Sequence, residues 1–530
     1  MPGKSAGRNY IYLLVLVLLN VMIYIPVILK IPGYIMDDYH LFTVISSNQY
    51  NPFDITKYSQ FFLSLRPVTY LSLWLDFNLF GDNSIAIKLS GLILHTFLVI
   101  SIYFLFNLLT QFLKINISKT TITVLCIIFS IHLDSLTWIY WISNRTESLM
   151  LLFYVWSAIC FLLYFKNEKK YLLFFSFLFY ILSILSKQSS LHLPFLLLIG
   201  SIYQMRQKGN SEFKLYLFYV FLIFILILFS SLNYFIYSDY QNLLGNLWKK
   251  PFSFFGILLH LIFPLFSGNI YNYFLLNKEI AAFIFIPASI LLFVFVVIRK
   301  NLRKKFILLL IITVIIIYPR IFATGGSRLN GILLLWLLVL LMYLFSKMKS
   351  VRMICLVTGL LILSYSISFL IRTQSLETIF VHEKKNFGEL VDLIQSCSGQ
   401  NFILCSDSND IIPYKYYYYI HSSVGLVNSI ITSPVFYELV LVNHDLSLFN
   451  KKIIDCRKKG DYYEITSYDP LIYLLINPYN PDFVRYRIIE KESSRSGRGF
   501  SRILLDIPQI IEKDTDQVLY FDGLKWKELK

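Results

Sequence analysis

The chain contains few charged side chains. Asp, Glu, Lys and Arg make up 15% of its 530 residues, whereas a soluble protein carries about 25%. This shortage excludes a water-soluble globule, because too little polar surface is available. Apolar residues make up 56% and the mean hydropathy is +0.62, which also excludes an intrinsically disordered chain. The composition therefore predicts a polytopic membrane protein.

Cysteine is also scarce, and the six residues predict no full disulfide framework. Cys126, Cys160 and Cys355 lie in apolar segments, where we expect small core residues. The other three lie in the C-terminal part, and this odd number leaves room for one bridge, between Cys397 and Cys405. Internal repeats are lacking too, and no tetratricopeptide period is found.

Acidic residues are missing mainly from the first part of the chain. Residues 1–371 carry a net charge of +18 and residues 372–530 a net charge of −2. The basic excess thus belongs to the membrane part, where loop charge sets orientation. No soluble segment carries a basic stripe with interleaved aromatic residues, so no nucleic-acid partner is predicted.

Apolar stretches approaching the roughly 20 residues that span a bilayer recur along the first part of the chain. We predict about eleven spans. They lie near 10–30, 89–113, 120–140, 147–165, 171–186, 189–205, 214–237, 280–298, 306–319, 329–346 and 352–371. The first follows Lys4 and Arg8 and is interpreted as a retained signal anchor.

Loop charges predict the orientation of these spans. Clusters of Lys and Arg in alternate loops place the N-terminus in the cytoplasm and the C-terminus outside, in the periplasm or at the cell exterior. Residues 253–275 would break this alternation, so we interpret them as a re-entrant or interfacial segment. A plasma membrane or bacterial inner membrane is the expected location.

Two regions are not predicted to span the membrane. Residues 31–88 form a long first extracytoplasmic loop with juxtamembrane helices, such as RPVTYLSLWLDF, within a transmembrane domain of residues 1–371. Residues 372–530 contain the β-like runs NFILCSD, YEITSYD, FSRILLDI and QVLYFDG and one helix-like stretch, NFGELVDLIQSC. These patterns predict a small extracytoplasmic α/β domain.

Ionisable residues gather at the predicted outer ends of the spans, where the cost of burying charge makes them site candidates. Carboxylates accept protons, and Arg and Lys hold phosphate through charge-assisted hydrogen bonds. The acidic and imidazole candidates are Asp37, Asp38, His132, Asp134 and Glu147. The basic candidates are Arg66, Arg145, Lys187, Arg320 and Arg328.

Structural roles stay open for these residues. Asp37 and Asp38 precede a helical pattern and fit an N-cap. Arg145 and Lys187 fit interfacial anchors whose long side chains reach the membrane surface. His132 fits an ordinary interfacial histidine.

Four stretches, in this order, resemble the GT-C membrane glycosyltransferases, especially the protein O-mannosyltransferase branch and its tetratricopeptide-bearing relatives. They are MDDYHLFTVISSN, RPVTYLSLWLDFNLFGDNSIAIKLSGLILH, IHLDSLTWIYWISNRTESL and LSKQSSLHLPFLLL, and together they cover roughly residues 33–200. They are similar, respectively, to the family's acidic motif after the first helix, its Arg-Pro-rich first loop, its His-Pro-x-x-Glu segment and its Ser-Lys-Glu stretch.

The resemblance implies an inverting glycosyltransferase that moves a sugar from a polyprenyl-phosphate donor to a hydroxyl acceptor at the outer face. Asp37, or Asp38, would be the general base. The cations that bind the donor phosphate would be Arg145, Lys187, Arg328 and Arg66. The residues that orient these cations, bind the acceptor or hold a metal would be His132, Asp134 and Glu147. The mannosyltransferase branch uses no metal, so no cofactor is predicted, although other GT-C branches need a divalent metal.

The chain departs from the family pattern at three residues and by the lack of a repeat array. Gln188 replaces the Glu that follows the Lys, Leu133 replaces a Pro, and Asp134 occupies the acidic slot one residue early. No tetratricopeptide array follows. The acceptor, which is a protein, a glycan or a lipid, therefore stays open.

Two other functions stay open as well. An O-antigen-type polymerase or ligase also joins lipid-linked glycans, but such enzymes rely on Arg and His in a large late loop. A transporter or lipid flippase places polar residues near mid-membrane, often on broken helices, whereas the charges here cluster at one predicted interface. The discriminating observation is whether Asp37 and Arg145 share one cavity at one membrane surface.

Overall fold

The structure, a computed structural model, describes a set of helices and nine strands of the C-terminal part of the chain. The described residues are 3–33, 38, 41, 45, 52–53, 66–81, 83–208, 222, 331–348, 350–396 and the strands given below. The predicted spans near 214–237, 280–298 and 306–319 and the segment 253–275 lie outside them, except for Leu222.

Ten α-helices and two short 3-10 turns lie in the described part of the chain. The helices are α1 (Gly3–Lys30), α2 (Pro67–Phe80), α3 (Ser84–Phe112), α4 (Lys119–Ile131), α5 (Leu133–Tyr140), α6 (Arg145–Asn167), α7 (Tyr171–Ser186), α8 (Leu193–Lys208), α9 (Gly331–Lys347) and α10 (Val351–Ser396). The 3-10 turns are Ile142–Asn144 and Gln188–His192.

Local sequence explains where several helices begin and end. Asn83 and Ser118 cap α3 and α4, each accepting a hydrogen bond at 3.1 Å from the backbone N–H three residues on. Pro67 opens α2, where its missing N–H costs nothing. Gly81 ends α2 with a positive φ of 61°, a backbone conformation that favours glycine.

Long apolar helices confirm a helical membrane protein. Within the described residues, four segments are long and apolar enough to cross a bilayer: Tyr10–Lys30, Ser84–Phe112, Ile142–Asn167 and Val351–Ile371. Three shorter apolar helices accompany them in the described part, within Tyr171–Ser186, Gln188–Ile202 and Gly331–Ser346. The predicted total of about eleven spans stays a prediction.

The third predicted span, residues 120–140, is not one straight helix. Its two halves, α4 and α5, meet at a bend of 55°. At the bend the backbone of His132 is extended (φ −65°, ψ 147°), and its Nδ1 accepts a hydrogen bond from the backbone N–H of Asp134 at 3.1 Å. The imidazole therefore caps α5, and the helical hydrogen bonds are interrupted at this point. The apolar sequence of residues 120–140 does not reveal such a break.

Contacts at the two ends of the bundle show that α1 and α4 run in one direction and α3 in the opposite one. At one end Tyr12 of α1 and Thr120 of α4 are hydrogen-bonded (3.2 Å between the oxygens). At the other end Lys88, near the start of α3, donates to the Ile31 carbonyl just after α1 (2.6 Å). This second end is termed the ionic end below. Helix α6 is the most enclosed span, being 78% buried against 50% or less for the other three.

The free cysteines show which faces of the helices are enclosed. Cys126 and Cys160 are buried, as predicted. The prediction for Cys355 is wrong, because this residue is exposed. It lies on the span of α10, only 22% of which is buried. A side chain in an apolar span can face either lipid or the protein core, and the sequence does not distinguish the two.

Helix α10 is longer than the span predicted at 352–371. It continues without a break to Ser396 and includes most of the stretch NFGELVDLIQSC, which the sequence predicts as a separate helix. The chain divides into two compact units, residues 1–32 with 52–375 and residues 33–51 with 376–530. The change from one unit to the other thus falls inside a continuous helix.

The nine strands belong to the second unit. They are β1 (Asn401–Ser406), β2 (Val435–Val442), β3 (Ile454–Lys459), β4 (Tyr462–Ser467), β5 (Tyr473–Leu475), β6 (Arg487–Ser493), β7 (Phe500–Asp506), β8 (Asp516–Phe521) and β9 (Trp526–Leu529). One sheet has the order β5-β2-β1-β8-β9, in which β2, β1 and β8 are parallel and both edge strands are antiparallel. The other sheet is antiparallel, in the order β3-β4-β7-β6. Strands β1, β4, β7 and β8 occupy the four β-like runs of the sequence.

Candidate functional site

Buried charge is concentrated at the ionic end of the bundle. Six charged residues there are at most 8% exposed: Asp76, Lys88, Asp134, Arg145, Glu147 and Lys187. They come from α2, α3, α5, α6 and the turn after α7. Because charge is costly to bury in a membrane protein, such residues are normally paired and mark functional sites. We refer to these six residues with His132 as the ionic cluster.

Arg145, the first residue of α6, connects three helices. Its Nη1 forms an ion pair with the Asp76 carboxylate on α2. Its Nη2 donates to the Ile87 carbonyl on α3 at 2.8 Å. Ser90, one turn further along α3, donates to the second oxygen of Asp76 at 3.1 Å. The guanidinium group is therefore fixed by acceptors on both terminal nitrogens.

Lys187 and Glu147 form the second buried ion pair. Lys187 follows α7 with an extended backbone, and its Nζ lies 2.5 Å from Glu147 Oε2. The other carboxylate oxygen of Glu147 is buried and accepts no hydrogen bond within the described part of the chain. Arg145 and Glu147 are two residues apart on α6 and so point to different sides of it. One helical turn thus anchors two separate ion pairs.

His132 lies at the bend between α4 and α5 and is fully buried. Its Nδ1 accepts the capping hydrogen bond and lies 3.6 Å from the Asp134 carboxylate. The ring packs edge-on against Tyr365 of α10, with 5.1 Å between ring centroids and an angle of 86°. The structure thus brings together His132 and Asp134, as it brings together Glu147 and Lys187.

Of the other predicted site residues the structure describes two, Arg66 and Asp38. Arg66 precedes α2, is partly exposed and makes no capping hydrogen bond with its side chain. Asp38 is helical and buried, and it belongs to the second unit. Asp37 and Arg328 lie outside the described residues. A shared cavity of Asp37 and Arg145 therefore stays a prediction.

Sequence reasoning missed Asp76 and Lys88 as members of the cluster. Asp76 lies on the buried face of α2 with Thr69, Tyr70 and Leu73. The spacing i, i+1, i+4, i+7 is that of one helix face, so the signal was present in the sequence. Lys88 is fully buried and its Nζ donates to a carbonyl at the end of α1, where cations are favoured by the helix dipole.

The ionic cluster combines two kinds of chemistry. Guanidinium and ammonium groups bind phosphate as they bind carboxylate, through charge-assisted hydrogen bonds. A neighbouring carboxylate or imidazole can accept a proton. Among the described residues no group of three or more His, Cys, Asp or Glu side chains is suited to hold a metal ion.

The fold and the cluster define an integral membrane protein with a buried ionic site at one end of its helix bundle. Comparison of the chain with known protein families finds no match, and comparison with curated proteins finds none either. What the protein does is therefore inferred from the residues of the site.

Proposed function

We propose that the protein is an integral-membrane inverting glycosyltransferase of the GT-C type. It moves a sugar from a polyprenyl-phosphate donor to a hydroxyl acceptor on the extracytoplasmic face. The observation that carries this proposal is the ionic cluster, because Arg145 and Lys187, from distant stretches of sequence, lie buried with carboxylates at one end of the bundle. A lipid-linked donor presents its phosphate at such an end while its polyprenyl chain stays in the bilayer.

The charges at the two ends support an extracytoplasmic site. Among the described residues, the end opposite the ionic cluster carries exposed Lys114, Lys166, Lys169 and Lys170, and Glu168 is the acid in the same loop as the last three. By the positive-inside rule this end is cytoplasmic. The ionic end then faces the periplasm or the cell exterior, in a plasma membrane or bacterial inner membrane.

The proposal extends to the whole chain. About eleven spans form the transmembrane catalytic domain, and the C-terminal part forms an extracytoplasmic α/β domain. The parallel strands β2, β1 and β8, which follow the helical stretch of α10, support this second assignment. The partners are the bilayer, the lipid-linked sugar and an acceptor that is a protein, a glycan or a lipid.

In the proposed reaction Asp37, or Asp38, takes the proton of the acceptor hydroxyl. The acceptor oxygen attacks the anomeric carbon as the bond from that carbon to the phosphate oxygen breaks, and the configuration inverts. The electron pair leaves with the lipid phosphate. Arg145 and Lys187 stabilise the negative charge that develops there, with Arg66 and Arg328 as further cations. His132, Asp134 and Glu147 orient these groups or bind the acceptor.

A transporter of an anionic lipid or small molecule is the second candidate function. The observation that favours it is the 55° break between α4 and α5 beside buried charges, because transporters often bind ions at broken helices. An O-antigen-type polymerase or ligase is the alternative within the enzymes. The same experiment separates the transporter from the transferase.

The test uses purified protein with radiolabelled polyprenyl-phosphate sugars, in nanodiscs with crude cell-envelope acceptors for transfer and in sealed vesicles for movement of the donor. Wild type is compared with Asp37→Asn and Asp38→Asn, and Asp54→Asn, in the same predicted loop, is the matched control. We expect label transfer in wild type and in the control. The variant that lacks the base should lose about 10²–10⁴-fold in kcat.

The outcomes separate the functions. Transfer that is lost in one Asn variant, with its unfolding temperature unchanged, supports the transferase and identifies the base. Donor binding without transfer, together with donor movement across sealed vesicles, supports the transporter. Label joined to a growing lipid-linked glycan chain supports the polymerase. Equal activity of both Asn variants and wild type contradicts the proposed base.

A further inference from the structure

Asp76 is, with Lys88, one of two members of the ionic cluster that the predicted reaction leaves without a role. It lies on the buried face of α2 and forms an ion pair with Arg145. Its second oxygen accepts a hydrogen bond from Ser90 at 3.1 Å. Both oxygens are therefore engaged, so the carboxylate is held in one orientation and is poorly suited to take a proton from a substrate.

Asp76 helps to fix the orientation of the Arg145 guanidinium group. A guanidinium group is planar and offers its N–H donors in a fixed fork. Asp76 accepts at Nη1 and the Ile87 carbonyl at Nη2, and two acceptors on two terminal nitrogens fix the plane of the group. Ile87 and Ser90 are three residues apart and so lie on one side of α3. This side of α3 therefore positions both the Arg145 guanidinium and the Asp76 carboxylate.

We propose that Asp76 is a positioning residue for the transfer reaction, which holds the Arg145 guanidinium in the orientation that binds the donor phosphate. Ser90 holds the Asp76 carboxylate in turn. The inference rests on the proposed function and deepens it, because it assigns to the site a residue that acts through Arg145 and does not touch the donor.

A purely structural role for the pair predicts different kinetics. A change that only loosens the fold lowers the fraction of active molecules, which lowers kcat and leaves the donor KM where it was. A change that lets the guanidinium turn away from the phosphate weakens donor binding, which raises the donor KM. The KM for the acceptor should be unaffected in both cases.

The test measures initial rates in nanodiscs with the polyprenyl-monophosphate sugar that wild type uses, for Asp76→Asn and Ser90→Ala. The matched control is Ser101→Ala. Ser101 is also on α3, and among the described residues its hydroxyl donates only to the Phe97 carbonyl of the same helix, at 2.7 Å. Inhibition by sugar-free polyprenyl monophosphate reports phosphate binding directly. Ser90→Ala keeps the ion pair, so it remains informative if Asp76→Asn does not fold.

We expect Asp76→Asn to raise the donor KM on the order of tenfold or more and to weaken inhibition by the same factor. Ser90→Ala should raise the donor KM and the inhibition constant of the sugar-free lipid a few-fold. Ser101→Ala should match wild type. An unchanged donor KM in Ser90→Ala and in any folded Asp76→Asn, with wild type active, overturns the inference and leaves the proposed function standing. No transfer by wild type with any donor overturns the proposed function, and the role of Asp76 with it.

Discussion

Replacing Lys187 by Met tests the second buried ion pair most directly. The substitution keeps the length of the side chain and removes its charge, so Glu147 loses the ammonium group 2.5 Å from its Oε2. The Glu147 side chain is fully buried and its other oxygen accepts no hydrogen bond in the described part of the chain. Nothing described there compensates for the lost partner.

The magnitude follows from the burial of the pair. At 2.5 Å and an effective dielectric constant of about 20, the Coulomb attraction is about 7 kcal/mol before desolvation is counted. Breaking a buried pair by removing one partner typically costs about 3–5 kcal/mol, whereas replacing both partners by apolar residues is often nearly neutral. Lys187→Met and Glu147→Met should each lower the free energy of unfolding by about 3–5 kcal/mol. The double variant should lie within about 2 kcal/mol of wild type.

The assay is reversible unfolding in mixed micelles at increasing fractions of a denaturing detergent, followed by tryptophan fluorescence. The control is Lys166→Met, which removes an exposed Lys at the opposite end and its hydrogen bond to Gln111. That substitution should change the free energy by about 1 kcal/mol or less. Additive losses in the double variant, or a loss below about 1 kcal/mol for Lys187→Met, would refute the buried pair.

The remaining predictions concern packing and orientation. Gly331→Ala should destabilise the protein by about 1–3 kcal/mol, because an added Cβ would lie 2.3 Å from Leu151 Cδ1 and 2.9 Å from Trp138 Cζ2. Gly359→Ala, whose Cβ meets nothing within 4 Å, is the matched control, and equal losses in the same unfolding assay would contradict the packing of α9. With the six native cysteines replaced by Ser, Asn83→Cys, exposed at the ionic end, should react with an impermeant maleimide only from outside sealed cells, and exposed Lys169→Cys only from the cytoplasmic side. The reverse pattern would invert the proposed orientation.

The spans that the sequence predicts well are those whose signal is local. Helices α1, α3 and α6 and the first half of α10 coincide with apolar runs of about 20 residues or more, and a bilayer selects for that length directly. The bend at His132 was not predicted, because the composition of residues 120–140 is the same whether the helix is straight or broken. The capping hydrogen bond of the imidazole decides between the two.

The sequence also could not predict which side chains of a span are buried and which are exposed. Cys126 and Cys355 lie in equally apolar surroundings, and only the first is buried. Hydrophobic side chains are stable both in a protein core and against lipid tails. The neighbours of each helix in the bundle therefore determine which of its faces is enclosed.

The sequence by itself determined that this is a helical membrane protein, because shortage of charge and long apolar runs are properties of the chain alone. It also identified most of the ionisable residues of the ionic cluster. Only the tertiary structure decided which of them pair. Arg145 joins Asp76 across 69 residues and Lys187 joins Glu147 across 40. The physical reason is that any acid can neutralise any cation in a buried site, and the packing of α2, α3, α6 and α7 decides which acid comes within reach.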